Sequence, residues 1–190
     1  MISGDSFAIE CWRPEPACVA DDLAMLGCVL HACVQAGASV SFVLPFSREQ
    51  ATAFWRERVL PAVQAGSLVV LIAREDRRIV GTVQLDLDTP PNQRHRADVK
   101  KLLVHPDARR RKIGRRLMWA LEEQAREARR SLLTLDTQTG GFAEPLYLSL
   151  GYISIGVIPR YALQADSGML EGTTFMYKEL APQASKPLSL

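Results

Sequence analysis

The residues best suited to chemistry are four consecutive cations, Arg-Arg-Arg-Lys at residues 109–112. They follow the apolar run Leu102–Val104, which predicts a β-strand, and they precede an amphipathic stretch that predicts a helix. The first N–H groups of a helix lack backbone partners, and the helix dipole is positive at this end. Cations at a strand–loop–helix junction therefore predict a site for an anionic ligand such as a phosphate group.

The charge of the chain is distributed unevenly, and the excess of cations surrounds this loop. The whole sequence has a net charge of +2, whereas residues 94–130 contain 13 Lys and Arg against 5 Asp and Glu. Because the remainder is net acidic, this asymmetry favours a small polyanionic ligand over a nucleic-acid partner. Trp119 is the one aromatic residue in that window, so the stacking residues of nucleic-acid binders are lacking there.

The remaining pattern predicts the elements that must position this loop. Apolar and alternating runs predict strands at 7–13, 68–73, 79–87, 98–104, 132–136, 152–158 and 173–180. Helical spacing predicts helices after Asp21-Asp22, after the N-cap candidate Ser47, after Gly114 and over 146–150. The order β-α-α-β-β-β-α-β-α-β-β predicts a mixed α/β fold in one domain, residues 1–180, followed by a disordered tail, residues 181–190.

This element order, together with the loop motif, resembles the GCN5-related N-acetyltransferase (GNAT) superfamily over residues 7–180. A second stretch, Leu133–Thr137 followed by Tyr147 and Gly151-Tyr152, resembles the second acyl-CoA-binding region of that family. Leu-Asp-Thr at 135–137 and the ending GTTFMYKEL look most like the tabtoxin-resistance type of small-molecule acetyltransferase. The resemblance implies a mixed, mostly antiparallel sheet of about six to seven strands flanked by about four helices.

The resemblance implies an enzyme that moves an acetyl group directly from acetyl-CoA to a primary amine of a small molecule, in a ternary complex. It also implies that backbone groups of Leu102, Leu103 and Val104 pair with the pantetheine arm, and that an N–H near Val104 polarises the thioester carbonyl. The residues implied in binding the pyrophosphate are Arg109, Arg110, Arg111, Lys112, Ile113, Gly114 and Arg115. Lys112 stands where the family has a glycine, and at a positive φ a lysine costs about 1 kcal/mol.

Three residues are candidates for proton transfer. The resemblance implies Tyr147, on a short predicted helix, as the general acid that protonates the leaving thiolate. Two carboxylates compete as the general base for the amine: Asp98, where relatives often carry an acidic residue, and Asp136. Asp136 ends a predicted buried strand, where α/β sheets tend to place ligands. The three histidines are expected on a helix face or in loops.

Composition and motifs also bear on metals, membranes and partners. The four cysteines lie within residues 11–33 and form no C-x-x-C pair, so no metal site is expected. The apolar stretch 19–34 contains two aspartates and is too short for a bilayer, and no signal-peptide pattern is present, so a cytoplasmic protein is expected. The acceptor amine is left open, and a homodimer is compatible with the resemblance. The alternative function is a noncatalytic acyl-CoA-binding regulator with the same fold.

Overall fold

The structure, a computed structural model that describes residues 7–181, contains one seven-stranded sheet. The strands are β1 (Phe7–Cys11), β2 (Leu68–Glu75), β3 (Arg78–Asp86), β4 (Arg96–Val104), β5 (Leu132–Gln138), β6 (Ile153–Leu163) and β7 (Leu170–Glu179). Their order is β1-β2-β3-β4-β5-β7-β6, and β4–β5 is the one parallel pair. The predicted mixed, mostly antiparallel sheet is confirmed. The predicted tail lies, apart from its first residue, outside the described residues.

Helices cover both faces of the sheet. They are α1 (Val19–Gln35), α2 (Arg48–Phe54), α3 (Leu60–Gln64), α4 (Ile113–Glu127) and α5 (Glu144–Ser149), with a π-helical turn at Trp55–Val59 that joins α2 to α3. Along β2, Val70 and Ile72 pack into one hydrophobic cluster with α1, α2 and α3, whereas Leu71 and Ala73 pack into another with α4 and α5. Because successive side chains of a β-strand point to opposite faces of the sheet, β2 contributes to the hydrophobic clusters on both faces.

Local sequence explains the helices that border the site. Ser47 caps α2 in a reciprocal capping box with Gln50, which confirms the predicted N-cap. The helix α4 buries Leu117, Leu121 and Ala125 at three- and four-residue spacing. Close contact between α1 and α2 depends on Gly27, because a Cβ there would lie 2.3 Å from Thr52 Oγ1.

The strands β4 and β5 pair only over their first residues and then separate. Their register pairs Arg96 with Leu132, Ala97 with Leu133 and Asp98 with Thr134, and no pair follows within the described chain. The rest of β5 stays paired to β7 as far as Gln138. We call the resulting gap between β4 and β5 the fork, with its closed end at Asp98. Beyond that end, β4 runs to Val104 with no strand on its β5 side.

A β-bulge at Lys101 reverses which side of the sheet each later β4 residue faces. Lys101 has φ 50°, and the β3–β4 register shifts there, since Thr82 pairs with Leu103 but Gln84 pairs with Lys100. In a regular strand, residues 99 and 103 would face the same side of the sheet. Because of the bulge, Val99 packs with α4, whereas Leu103 packs with α1. The apolar pattern of the sequence does not reveal this bulge.

The last two strands are longer than the sequence predicted. The polar segment expected to be a loop between 158 and 173 is mostly strand, and only 164–169 form the turn between β6 and β7. Pro159 lies inside β6, which is allowed because β6 is an edge strand and one of its sides needs no N–H donor. The turn packs on the α1–α2 loop (residues 36–47), where the Leu44 N–H donates to Ala165 O at 2.7 Å.

Candidate active site

The cationic loop (residues 109–112) bends sharply before α4 begins. Arg110 and Lys112 have φ of 66° and 60°, in the left-handed region, and Lys112 is the N-cap residue of α4. No side chain caps the first N–H groups of this helix. Backbone that enters a helix from left-handed residues can direct successive N–H groups into one concave anion site. Because Lys112 has a φ of 60°, this position has the backbone conformation that is unfavourable for lysine.

The side chains of this loop and of the first turn of α4 fall into two groups. Arg111 forms two hydrogen bonds to the Glu75 carboxylate, at 2.6 and 3.1 Å, and thereby fastens the loop to β2. Arg115 donates to Ser149 Oγ at 2.8 Å, which ties α4 to α5. Arg110 and Lys112 are exposed. The arrangement holds the loop in place through Arg111 and Arg115 while other cations face solvent.

The mouth of the fork lies beside this loop. Arg109 Nε and Cys33 Sγ both donate to Val104 O, at 3.3 Å each. The His105 N–H donates to Val80 O, so residues 80 and 105 form a hydrogen-bonded pair. Such pairs alternate along an antiparallel ladder, which leaves Gly81 and Val104 as a pair without hydrogen bonds. The backbone N–H and C=O of Val104 therefore point away from β3, toward the fork.

Tyr147 lies on α5 and is buried, with 6% of its surface exposed. Its ring packs edge-on against Tyr152, with ring centroids 5.7 Å apart. The start of α4 lies close to α5, because a Cβ on Gly114 would be 3.3 Å from Leu146. Burial, and secondarily the charge of Asp136, raise the pKa of Tyr147 well above its usual value. The phenol therefore keeps its proton throughout the physiological range.

The two predicted carboxylates occupy different surroundings. Asp98 is at the closed end of the fork, where it accepts hydrogen bonds from Arg96 and from Thr134 Oγ1. Arg96 is held in turn by two hydrogen bonds to Gln93. Asp136 lies further along β5, is exposed, and influences the pKa of Tyr147. Asp136 thus acts on Tyr147 through its charge, whereas Asp98 lies in an ion pair.

Lys101 is a residue of this region that the sequence did not single out. Its Nζ donates to Val40 O at 2.9 Å and to Ser41 Oγ at 3.0 Å, both in the α1–α2 loop. Burial lowers the pKa of Lys101 to about 8, against a smaller opposing effect from Asp136 and a further lowering by Lys100. Its sequence signal is weak, since it is one of two adjacent lysines in an apolar strand. Only the bulge turns it toward α1 and α2.

The described residues also bear on the expectations about metals and membranes. No group of three or more His, Cys, Asp or Glu side chains within residues 7–181 is arranged to hold a metal ion. Over the same part of the chain, every helix is too short or too polar to cross a bilayer.

Comparison with known sequences identifies a family and a curated relative. The sequence pattern of the "Acetyltransferase (GNAT) family" matches residues 36–152, which include the fork, the cationic loop and α5. A 67-residue stretch is 39% identical to a protein named IAA acetyltransferase from Azospirillum brasilense. That stretch covers 35% of this chain and 42% of the relative, so the likeness spans less than half of the relative's length.

Solved structures share the fold over nearly the whole chain. The protein yncA of Salmonella typhimurium, determined with its cofactor acetyl-CoA, has a TM-score of 0.72 at 18% identity, over 98% of this chain and 100% of that chain. A GCN5-related N-acetyltransferase from Kribbella flavida gives 0.73 at 21%, over 94% and 100%. A ribosomal-protein-alanine N-acetyltransferase from Brucella melitensis gives 0.71 at 22%, over 91% and 99%. At these identities the likeness concerns the fold.

Proposed function

Because the chain belongs to the acetyltransferase (GNAT) family, we propose that it transfers an acetyl group from acetyl-CoA to a primary amine of a small molecule. One observation carries this proposal: beyond Asp98 the fork leaves β4 without a strand on its β5 side and opens beside the cationic loop, with Asp136 on the β5 strand that borders it. The site would take acetyl-CoA as a co-substrate. We place the whole activity in one domain formed by residues 1–180.

The residues present suit the parts of acetyl-CoA. Backbone groups of Leu102 and Val104 would pair with the amide groups of the pantetheine arm, much as an added strand would. Those of Leu103, which the family resemblance also implied, face Thr82 on β3 because hydrogen-bonded pairs alternate along the ladder. The N–H groups of residues 112–115 would hold the pyrophosphate at the start of α4, as helix N-termini do. Arg109 and Arg110 would add charge from the exposed side of the loop.

The chemistry is a direct acyl transfer. The amine nitrogen attacks the thioester carbon, a C–N bond forms, the C–S bond breaks, and the amine loses a proton. The Val104 N–H, which points into the fork, would donate to the carbonyl oxygen as negative charge develops there. The fold already holds this N–H in position, because the pairing of β3 with β4 fixes its direction.

Tyr147 would act on the leaving sulfur. A thiol has a pKa of about 8.5, whereas the phenol pKa is raised above its usual value by burial. Full proton transfer from Tyr147 to the thiolate is therefore uphill, and the residue acts chiefly by donating a hydrogen bond that stabilises the departing thiolate. The proposed role of Tyr147 is therefore hydrogen-bond donation to the thiolate, in place of the full proton transfer that the family resemblance implies.

Asp136 is the carboxylate we assign to the amine. It is exposed on β5 beyond the closed end of the fork, so it can accept the amine proton directly or through water. Asp98 is already held by Arg96 and Thr134, so its carboxylate is engaged within the fold rather than open to the amine. The role of Asp98 is to close the fork.

The test is a two-part measurement on the purified protein. Calorimetric titration with acetyl-CoA is expected to show micromolar binding, weaker for dephospho-CoA. Thiol release is then followed with a panel of primary amines, and turnover of at least one amine supports the enzyme. Binding without turnover of any amine would instead indicate the noncatalytic regulator, and absence of binding would overturn both functions.

We further propose that two copies pair through β6. This strand forms one edge of the sheet, and its apolar side chains include Ile153, Ile155 and Val157, which are 53%, 68% and 50% exposed. An identical edge strand can satisfy the unpaired backbone and cover these side chains about a twofold axis. Light scattering is expected to give twice the chain mass, and Ile155→Lys is expected to give monomers.

We also place the enzyme in the cytoplasm. All four cysteines are unpaired, as in a reducing compartment, and acetyl-CoA would be available there.

A further inference from the structure

Lys101 is partly buried and, unlike Lys178, Arg74 and Arg96, forms no ion pair with a carboxylate of the described residues. Lys178 pairs with Glu122 at 2.6 Å, Arg74 pairs with Glu10 at 2.7 Å and Asp22 at 3.1 Å, and Arg96 pairs with Asp98. Lys101 is likewise only partly exposed, yet within residues 7–181 no carboxylate forms an ion pair with it. A cation withdrawn from water without a counterion is unfavourable. An anionic group from outside the chain can therefore satisfy the Lys101 ammonium at closer range than Asp136, which acts on it without forming an ion pair.

The contacts of Lys101 explain how the unpaired charge is held. Val40 O and Ser41 Oγ accept two of its three ammonium hydrogens. The rings of Phe42 and Phe54 lie 5.6 and 5.9 Å from Nζ, within range of cation–π attraction. All four contacts favour the charged ammonium, and the third hydrogen has no partner among the described residues. Nζ is thus fixed in place with one donor to offer.

Two further polar groups without partners lie next to the bulge. Thr82 and Gln84 occupy the β3 positions that pair with Leu103 and Lys100, on either side of Lys101. They are 0% and 4% exposed, and Thr82 Oγ1 and Gln84 Nε2 have no hydrogen-bond partner in the described chain. Both atoms can donate a hydrogen bond. Buried donors without acceptors accompany the unpaired cation.

We propose that Lys101 determines acceptor specificity by binding a carboxylate of the acceptor, so that the acceptor is a small amine that also carries a carboxylate. This inference rests on the proposed acetyl transfer. The position is suitable because Lys101 lies on the bulge of β4, three residues before Val104, on the side covered by the α1–α2 loop. The acceptor carboxylate supplies the missing counterion, and Asp136 on β5 remains for the amine.

The test compares each acid with its amide. Thiol release from acetyl-CoA is measured for the common L-amino acids and for their α-carboxamides, which keep the amine and lose the negative charge. A charge-assisted hydrogen bond contributes about 2 kcal/mol, so kcat/KM for the best acid is expected to exceed that for its amide about 30-fold. An amide that is acetylated as well as its acid overturns the inference.

Variants of Lys101 test whether its side chain causes the preference for the acid over the amide. Lys101→Met is expected to bring the acid-to-amide ratio close to one, chiefly by raising KM for the acid, and Lys101→Arg is expected to restore part of it. Lys100→Met is the matched control, because the neighbouring lysine is exposed and pairs with Asp86 at 2.5 Å. A structural role for Lys101 would lower both rates equally and leave the ratio unchanged, which also overturns the inference.

A binding readout separates failure of this inference from failure of the proposed function. With CoA present, propanoate is expected to shift the Lys101 ε-methylene NMR signal saturably, and propanamide is not; the signal is identified by its loss in Lys101→Met. If other amines are acetylated but neither the acids nor this signal respond, acetyl transfer stands and the carboxylate site falls. If no amine is acetylated and propanoate has no effect, both fall.

Discussion

The two ends of the fork are built from the same pair of strands and differ in how their charges are satisfied. At the closed end, Asp98 is bound by Arg96 and Thr134. At the open end, Lys101 has no ion-pair partner in the described chain, and Asp136 is exposed. Where β4 and β5 pair, side chains on adjacent strands can satisfy one another. Where the strands separate, those partners are out of reach, and charged groups become available to ligands.

The largest expected effect is at the open end, on Tyr147. Tyr147→Phe should lower kcat about 100-fold with little change in KM, because the lost hydrogen bond to sulfur forms mainly in the transition state. Steady-state kinetics with the best amine measures both constants. Tyr152→Phe is the matched control: Tyr152 is also buried and its hydroxyl has no partner, so kcat should stay within about twofold. Equal losses in both variants would contradict the assignment.

The two carboxylates give the next contrast. Asp136→Asn should lower kcat/KM about tenfold to 100-fold and leave the free energy of unfolding nearly unchanged, since Asp136 is exposed. Asp98→Asn should instead lower the free energy of unfolding by about 1–3 kcal/mol, because Arg96 loses its counterion. Urea unfolding and kinetics on both variants separate these effects. The reverse pattern would make Asp98 the base.

The cationic loop should show a smaller, binding-type effect. Arg109→Ala combined with Arg110→Ala is expected to raise KM for acetyl-CoA about tenfold with kcat preserved. Arg111 is less suitable for this purpose, because its loss also breaks the pair with Glu75. Arg77→Ala, on the turn between β2 and β3, serves as a control for the loss of an exposed cation. An unchanged KM in the double variant would remove the pyrophosphate assignment.

Lys112 predicts a modest gain in stability. Glycine adopts the observed φ of 60° without strain, so Lys112→Gly should raise the free energy of unfolding by up to about 1 kcal/mol. Affinity for acetyl-CoA should stay the same or rise, since the N–H groups keep their positions. Urea unfolding and calorimetry measure the two quantities. Clear destabilisation would mean that the Lys112 side chain holds the loop.

The last effect concerns the stability contributed by Lys101 and depends on pH. In the folded protein its pKa is about 8, below the ordinary 10.5, so the charged form is disfavoured by folding. Below pH 8, Lys101 is protonated in both the folded and the unfolded protein, and folding bears the full free-energy cost of burying its charge. Between pH 8 and 10.5 the unfolded chain binds more protons than the folded protein, so the free energy of unfolding rises with pH. Lys101→Met should therefore be more stable than wild type at pH 7, by a margin that shrinks toward pH 10.

Urea unfolding at several pH values measures this margin, and the ionisation of Tyr147 and Tyr152 affects both proteins alike. A margin that does not change with pH would mean that the ammonium is well solvated. Propanoate should also reduce the margin at pH 7 by stabilising wild type alone, which connects this measurement to the carboxylate site.

Much of the fold could be predicted because its signals are local. Apolar runs, Ser47 with Gln50, and the stripe of α4 each lie within one element, and the element order then implied a mixed sheet. The segment 159–172 was less predictable. Its polar residues and Pro159 indicate a loop, yet they form strand because an edge strand tolerates missing donors and exposed side chains.

The sequence by itself determined the run of cations before α4 and the strand that carries Asp136, since both follow from residue types in consecutive positions, and the family resemblance pointed to Tyr147. Only the tertiary structure decided which carboxylate is bound, because Asp98 meets Thr134 through strand register across 36 residues. It also decided that Lys101 stands without a counterion, through a bulge and a loop 60 residues away. The sequence determines the charge of a side chain, but its partners depend on which distant segments the fold brings beside it.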